Sequence, residues 1–158
     1  MNTTNCIEIR TLTPADYGEY RPLMAQLHSL HVAARPDQFR EAEFITSRER
    51  YEQLLADENA LLLGAFQNGA LIGFAAGELQ HRSMMMNITS LSATDLFVAE
   101  SARRRGVAAG LLRELQARAK RAGAVRCDIM VWQFNEAAIA FYEAQGFSVQ
   151  RSILEKML

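Results

Sequence analysis

Asp95-Leu96-Phe97-Val98-Ala99-Glu100-Ser101-Ala102-Arg103-Arg104-Arg105-Gly106-Val107-Ala108 is the stretch on which the fold turns. The run from Asn87 to Val98 is rich in apolar and β-branched residues and reads as a strand, which gives way to loop at Ala99-Glu100-Ser101. A helix then runs from Gly106 to about Ala122, with Val107, Leu111, Leu112 and Leu115 on one stripe and Arg113, Glu114, Arg118 and Lys120 toward water. Gly123 is its stop signal. Between strand and helix lies Arg-x-x-Gly-x-Ala, as Arg103, Gly106 and Ala108. A helix N-terminus carries unpaired N–H groups and partial positive charge, glycine lets the backbone approach a ligand closely, and arginine adds charge-assisted bonds, so the loop suits a pyrophosphate.

Upstream, Ala60–Gln67 and Ala70–Gln80 are apolar runs joined by Asn68-Gly69, the pair that tolerates the positive φ angles of a type I′ turn, and they predict an antiparallel hairpin. Ile7–Arg10 alternates like a short strand. Thr13-Pro14-Ala15-Asp16 supplies a capping hydroxyl, a first-turn proline and an acid for a helix reaching about His31, before Arg35-Pro36. A second helix spans roughly Glu43 to Ala56. Downstream come a strand over Val125–Trp132, a helix from Asn135 to about Gln145 ended by Gly146, and a last strand from Ser148 to about Glu155. The order predicts one α/β domain over residues 1–158 with a mixed sheet.

With 158 residues, 49% of them apolar and 22% charged, the chain has room for one substantial core. No apolar run reaches membrane-spanning length and MNTTNCIEIR lacks the order of a secretory signal, so membrane insertion and export are not expected and the predicted location is cytoplasmic. Cys6 and Cys127 have no CxxC spacing, and His28 with His31 finds no further ligand at a recognisable spacing, so neither disulfide nor metal is expected. The net charge of −1 conceals 7 basic against 13 acidic residues in 1–100 and 10 against 5 in 101–158, which suggests an anionic ligand for the second part and a cationic one for the first. GxxxxGK[ST] is absent, no GxGxxG follows a strand, and the basic residues are not interleaved with aromatics, which argues against a P-loop, a dinucleotide fold and nucleic acid.

Asp95-Leu96-Phe97-Val98, followed by Arg103-x-x-Gly106-x-Ala108 and Leu111-Leu112, resembles the acetyl-CoA-binding motif of the GNAT superfamily of N-acetyltransferases. A second block agrees: Asn135, Ala138, Phe141, Tyr142, Gly146 and Phe147 are similar to that superfamily's Asn-x-x-Ala-x-x-Phe-Tyr-x-x-x-Gly-Phe. Together they cover roughly residues 60–158, while the first sixty match in outline only. The resemblance implies a GNAT fold, with a twisted, mostly antiparallel sheet of about six or seven strands flanked by about four helices. It implies acetyl-CoA as cosubstrate, held at its pyrophosphate by the amides of Arg103, Arg104, Arg105, Gly106, Val107 and Ala108 and by the arginine side chains. Phe97 and Val98 would pair with the pantetheine arm where their strand splays from Ile129–Trp132, Asn135 would contact the pantetheine or acetyl end, and Tyr142 would serve the departing sulfur as acid. A homodimer is a further expectation, since dimers are frequent in the family and the apolar C-terminal strand offers an edge.

Acetylating an amine requires removal of a proton, because an alkyl ammonium of pKa ~10.4 is mostly charged at neutral pH. Asp95 is the first candidate base and Glu78 on the neighbouring strand the second, although an acid at a strand end is more often a salt-bridged or hydrogen-bonded structural group. Cys127 has no base beside it, which favours direct transfer in a ternary complex over an acetylated thiol. Phe39, Trp132 and Phe134 read as core, acceptor wall or dimer contact, and Met84-Met85-Met86 as strand entry or adaptable surface. The expected acceptor is a small-molecule primary amine. A protein lysine or N-terminus is the alternative, and from another class comes a catalytically silent acyl-CoA-binding module.

Overall fold

The computed structural model describes residues 6–42, 45–82 and 87–158. Its sheet has five strands in chain order, β1 (Ile7–Thr11), β2 (Ala60–Gln67), β3 (Ala70–Arg82), β4 (Ile88–Val98) and β5 (Ala124–Ile129). The first four pair antiparallel and β5 joins β4 in parallel. The expected hairpin forms between β2 and β3, with Asn68 at φ 52° and Gly69 at φ 83°, both in the left-handed region that a type I′ turn demands.

Four α-helices flank the sheet: α1 (Tyr17–Ala34), α2 (Arg48–Ala56), α3 (Val107–Arg121) and α4 (Glu136–Ala144). A turn of 3₁₀ helix at Pro14–Asp16 leads into α1. There the Asp16 carboxylate accepts from the Thr13 backbone N–H (2.7 Å) and hydroxyl (2.8 Å) and from both terminal nitrogens of Arg10 (2.8 Å each). α2 starts later than its sequence suggests, because Ser47 is the residue whose hydroxyl accepts the Arg50 N–H at 3.1 Å. Glu43 and Phe44, and the triplet Met84–Met86, lie outside the described residues.

One face of the sheet packs on α3 through Leu63, Ala75, Leu91 and Ala93 against Val107, Leu111 and Leu115. The other packs on α1 and α2 through Leu62, Phe66, Phe74 and Phe97 against Tyr17, Tyr20, Leu23 and Tyr51. The result is a three-layer α/β/α arrangement with fewer strands than expected. The predicted last strand, Ser148 to Glu155, is the correction: that segment carries no regular structure and is exposed. Its sequence is strand-like, but a strand exists only when its backbone finds a partner, and this one has none among the described residues. β5 likewise stops at Ile129 instead of Trp132.

Candidate active site

The site is built where the sheet comes apart. β4 and β5 pair from Thr89↔Ala124 as far as Ala93↔Ile129 and no further, while Asp95 to Val98 stay bonded only to β3. The cause is visible in the register: Ala76 pairs with Asp95 but Gly77 with Ala93, so Thr94 is an extra residue, a β-bulge. Plain alternation would put Asp95 on the same face as Ala93, toward α3. The bulge reverses the parity, so Leu96 and Val98 join the α3 side and Phe97 joins the α1 side, taking Asp95 with it.

Past the bulge the Ala99 N–H bonds the Ile72 carbonyl at 2.9 Å. By ladder alternation Phe97 turns its amide groups toward β3, while those of Leu96 and Val98 point to the open edge. Of the two residues expected to meet pantetheine, Val98 therefore presents its backbone and Phe97 buries its ring on Phe74. That Leu96 shares this open edge follows from counting in twos from a residue bonded to β3, a reference that needs the fold.

The loop that follows is shaped by two left-handed residues, Arg104 (φ 57°) and Gly106 (φ 78°), on either side of Arg105 at negative φ. Such alternation curls successive N–H groups into an anion-binding nest. Gly106 caps α3, its carbonyl accepting the Gly110 N–H at 2.9 Å, which leaves the amides of the first turn, from Val107 and Ala108 on, without helical partners. Val107 points its side chain into the core. The three arginines differ. Arg103 donates from Nε to the Val98 carbonyl at 3.0 Å and lies near the Phe97 ring, so it braces the strand end. Arg105 bonds Gln67 at 3.1 Å. Arg104 is exposed and makes no hydrogen bond or ion pair among the described residues, so it is the guanidinium available to a phosphate.

Tyr142 stands on α4, 9% exposed, its ring edge-on to Phe141 and Phe147. Burial, with the charge of Asp95 and then the Cys127 thiol nearby, pushes its phenol up to about 12. Asp95 is half-buried. Burial raises its carboxyl above the usual carboxylate range, against smaller opposite effects of a hydrogen bond with Thr94 and of His31. Asp95 and Tyr142, far apart in sequence, are thus electrostatic neighbours. Glu78 lies on the same face of β3, opposite Ser92, and is exposed.

Asn135 caps α4, its Oδ1 accepting the Ala138 N–H at 3.2 Å, so the side-chain NH2 is what it can offer a ligand. Beside it the rings of His31, Phe39, Trp132 and Phe134 form a closed circuit at centroid distances of 5.1, 5.5, 6.1 and 6.2 Å, joining the end of α1 to the loop after β5. His28 meets the same Phe39, so the two histidines are part of an aromatic wall. Cys127 is a free, half-buried thiol whose pKa burial raises, and Cys6 is free and exposed.

The chain matches the model of the acetyltransferase (GNAT) family over residues 24–147. It is similar to a mutant of the BH1408 protein from Bacillus halodurans, with a TM-score of 0.91 at 25% identity over 96% of this chain and 99% of that one. The aminoglycoside N-acetyltransferase AAC(6')-Iy in complex with CoA superposes with a TM-score of 0.78 at 20% identity, covering 99% and 98% of the two chains. The aminoglycoside 6'-N-acetyltransferase AAC(6')-IG from Acinetobacter haemolyticus gives 0.74 at 17%, covering 96% and 97%. At those identities the last two establish a shared fold.

Proposed function

The chain belongs to the acetyltransferase (GNAT) family, and on that premise we propose that it moves the acetyl group of acetyl-CoA directly onto a small-molecule primary amine. The carrying observation is the open edge of β4 at Leu96 and Val98, which leads through a 3₁₀ turn at Glu100–Ala102 to the left-handed loop and amide-rich start of α3. An extended pantetheine arm would bond that edge, and its pyrophosphate would sit on the amides of Gly106 to Ala108 with Arg104 beside it. That a CoA complex exists for the similar AAC(6')-Iy supports the same ligand here.

Amine nitrogen then attacks the thioester carbon. The C–N bond forms, the C–S bond breaks, the nitrogen loses a proton and the sulfur gains one. The Val98 N–H faces the open edge where the developing oxyanion needs a donor. Asp95, with its raised pKa, is suited to accept the amine's proton, directly or through water. Tyr142 stays protonated at neutral pH and donates to the departing sulfur; a phenol near 12 gives hydrogen-bond stabilisation more readily than a completed transfer to a thiolate of pKa ~8.5. Cys127, held as a thiol by burial, is a poor nucleophile, which favours a ternary complex. The acceptor would lie against the ring circuit of His31, Phe39, Trp132 and Phe134, its ammonium drawn toward Asp95.

A mass-spectrometric screen of primary amines with acetyl-CoA tests the proposal: at least one acceptor gains an acetyl group as an equal amount of CoA thiol is released. Tight acetyl-CoA binding with no product across a broad panel, peptides included, would replace it with the silent acyl-CoA-binding module.

A further inference from the structure

The wall made by His31, Phe39, Trp132 and Phe134 is fixed by the backbone around it. The Phe39 N–H donates to the Arg35 carbonyl at 2.9 Å, and the Arg40 carbonyl accepts from His28 Nε2 at 2.9 Å, which ties that turn back to α1. Trp132 and Phe134 lie 18° from parallel, Phe39 meets Trp132 at 74° and Phe134 meets His31 at 73°. Phe134 is 39% exposed, so ring surface stays within reach of a ligand. A flat aromatic group gains from edge and face contacts with such rings beyond the area it buries.

Charge around the wall is placed for one cation. His31 belongs to the circuit and its charge acts on Asp95, so the rings end at that carboxyl. Burial, then the neighbouring His28, pushes the His31 imidazole below its usual value, and a neutral ring does not repel an ammonium. Asp95 is in no ion pair among the described residues. Trp132 is the ring opposite His31 in the circuit, and there the Arg35 guanidinium stands 5.1 Å from its centroid, paired with Asp37 at 2.7 Å and Glu155 at 2.9 Å. A second ammonium carried along the wall would therefore meet an arginine and two carboxylates already bound to it. Glu78, the other acid of this face, is exposed, where water and salt screen its charge.

We propose that the acceptor is an arylalkylamine, with a flat aromatic group seated on the wall of His31, Phe39, Trp132 and Phe134 and a short chain carrying a single primary amine to Asp95. The proposal rests on the acetyl-transfer reading: the acceptor nitrogen takes the acetyl group and loses one proton as the CoA sulfur gains one. Phe134 and Phe39 then set which amine is chosen, and polycationic amines are poor acceptors.

Trp132 is the chain's one tryptophan, so its fluorescence reports directly on the wall. In the presence of CoA, 2-phenylethylamine should change that emission saturably, and 2-cyclohexylethylamine, of similar size but without a π system, should bind about 3–10-fold more weakly. With acetyl-CoA, kcat/KM for 2-phenylethylamine should exceed that for the cyclohexyl amine by the same factor, and that for spermidine or kanamycin by about 10-fold or more. Phe134→Leu should shrink the phenyl-over-cyclohexyl preference to about 2-fold or less through KM, with the acetyl-CoA dissociation constant and the melting temperature unchanged. Phe39→Leu repeats the test at a second ring. Equal or better turnover of the cyclohexyl amine, the polycations or a peptide amine overturns the aromatic class and leaves acetyl transfer standing. A preference that survives both substitutions overturns the assignment of the wall in the same way. Acetyl-CoA binding with no acetylated product from any amine overturns the acetyl-transfer reading itself, and the acceptor class with it.

Discussion

Tyr142 and Asp95 are pushed in the same direction by burial, yet on the proposed mechanism the consequences differ because one is wanted neutral and the other charged. Tyr142→Phe keeps the ring contacts with Phe141 and Phe147 and removes only the donor. We expect kcat to fall by about 10²-fold with little change in KM, measured as CoA release with the identified acceptor. For Asp95 the folded pKa lies above the unfolded ~3.9. The folded state therefore binds the proton more tightly, and Asp95 removes stability as pH rises between the two values. Asp95→Asn is predicted to melt higher than the parent at pH 7 while losing activity and the acid limb of its pH–rate profile. A variant that melts lower, or retains that limb, would assign Asp95 a structural role. Asp16 shows the opposite sign. Its bonds to Arg10, then Thr13, hold the carboxyl well below the usual carboxylate range. Its stabilisation is fully present above the unfolded value and is lost as pH falls through the folded one. Asp16→Asn should cost about 1–3 kcal/mol at pH 7, and the gap between the two melting curves should narrow steadily below pH 4.

The loop from Arg103 to Gly106 couples strand β4 to helix α3, and its parts separate binding from bracing. At Gly106 a Cβ would meet nothing within 4 Å, so Gly106→Ala fails through φ alone. We expect a loss of about 1 kcal/mol, read as a fall of a few degrees in melting temperature, with several-fold weaker acetyl-CoA binding by calorimetry. Arg104→Ala should weaken acetyl-CoA binding and reduce its salt dependence without lowering the melting temperature of the free protein. Arg103→Ala should lower that temperature too, since it frees the Val98 carbonyl. The bulge at Thr94 is the other device of this scale: one inserted residue faces Asp95 toward Tyr20 and His31 and lets β4 part from β5.

In the whole domain, the loop proposed to hold acetyl-CoA opens a helix whose Leu111, Leu112 and Leu115 are at most 1% exposed, so on that proposal binding at the loop stabilises the entire α3 face. Acetyl-CoA at a hundred times its Kd should add about 2.7 kcal/mol, or roughly 5–10 °C in melting temperature. CoA analogues without the pyrophosphate should give much less. The hairpin at Asn68-Gly69, the amphipathic α3 and its start at Gly106 were legible in the order of residues because each depends on neighbours a few positions away: a φ preference, a 3.6-residue stripe, a glycine at a helix start. Strand-forming residues in the tail were legible too, but pairing was not, since a strand's partner is a matter of three dimensions. The neighbourhood of Asp95 and Tyr142, 47 positions apart in the chain, the choice of Leu96 over Phe97 as the residue with open amides, and the circuit of four rings were settled only by tertiary structure. The physical reason is the bulge and the splay: both are failures of regular pairing, imposed by packing on two faces at once, and periodicity along a chain encodes only regular pairing.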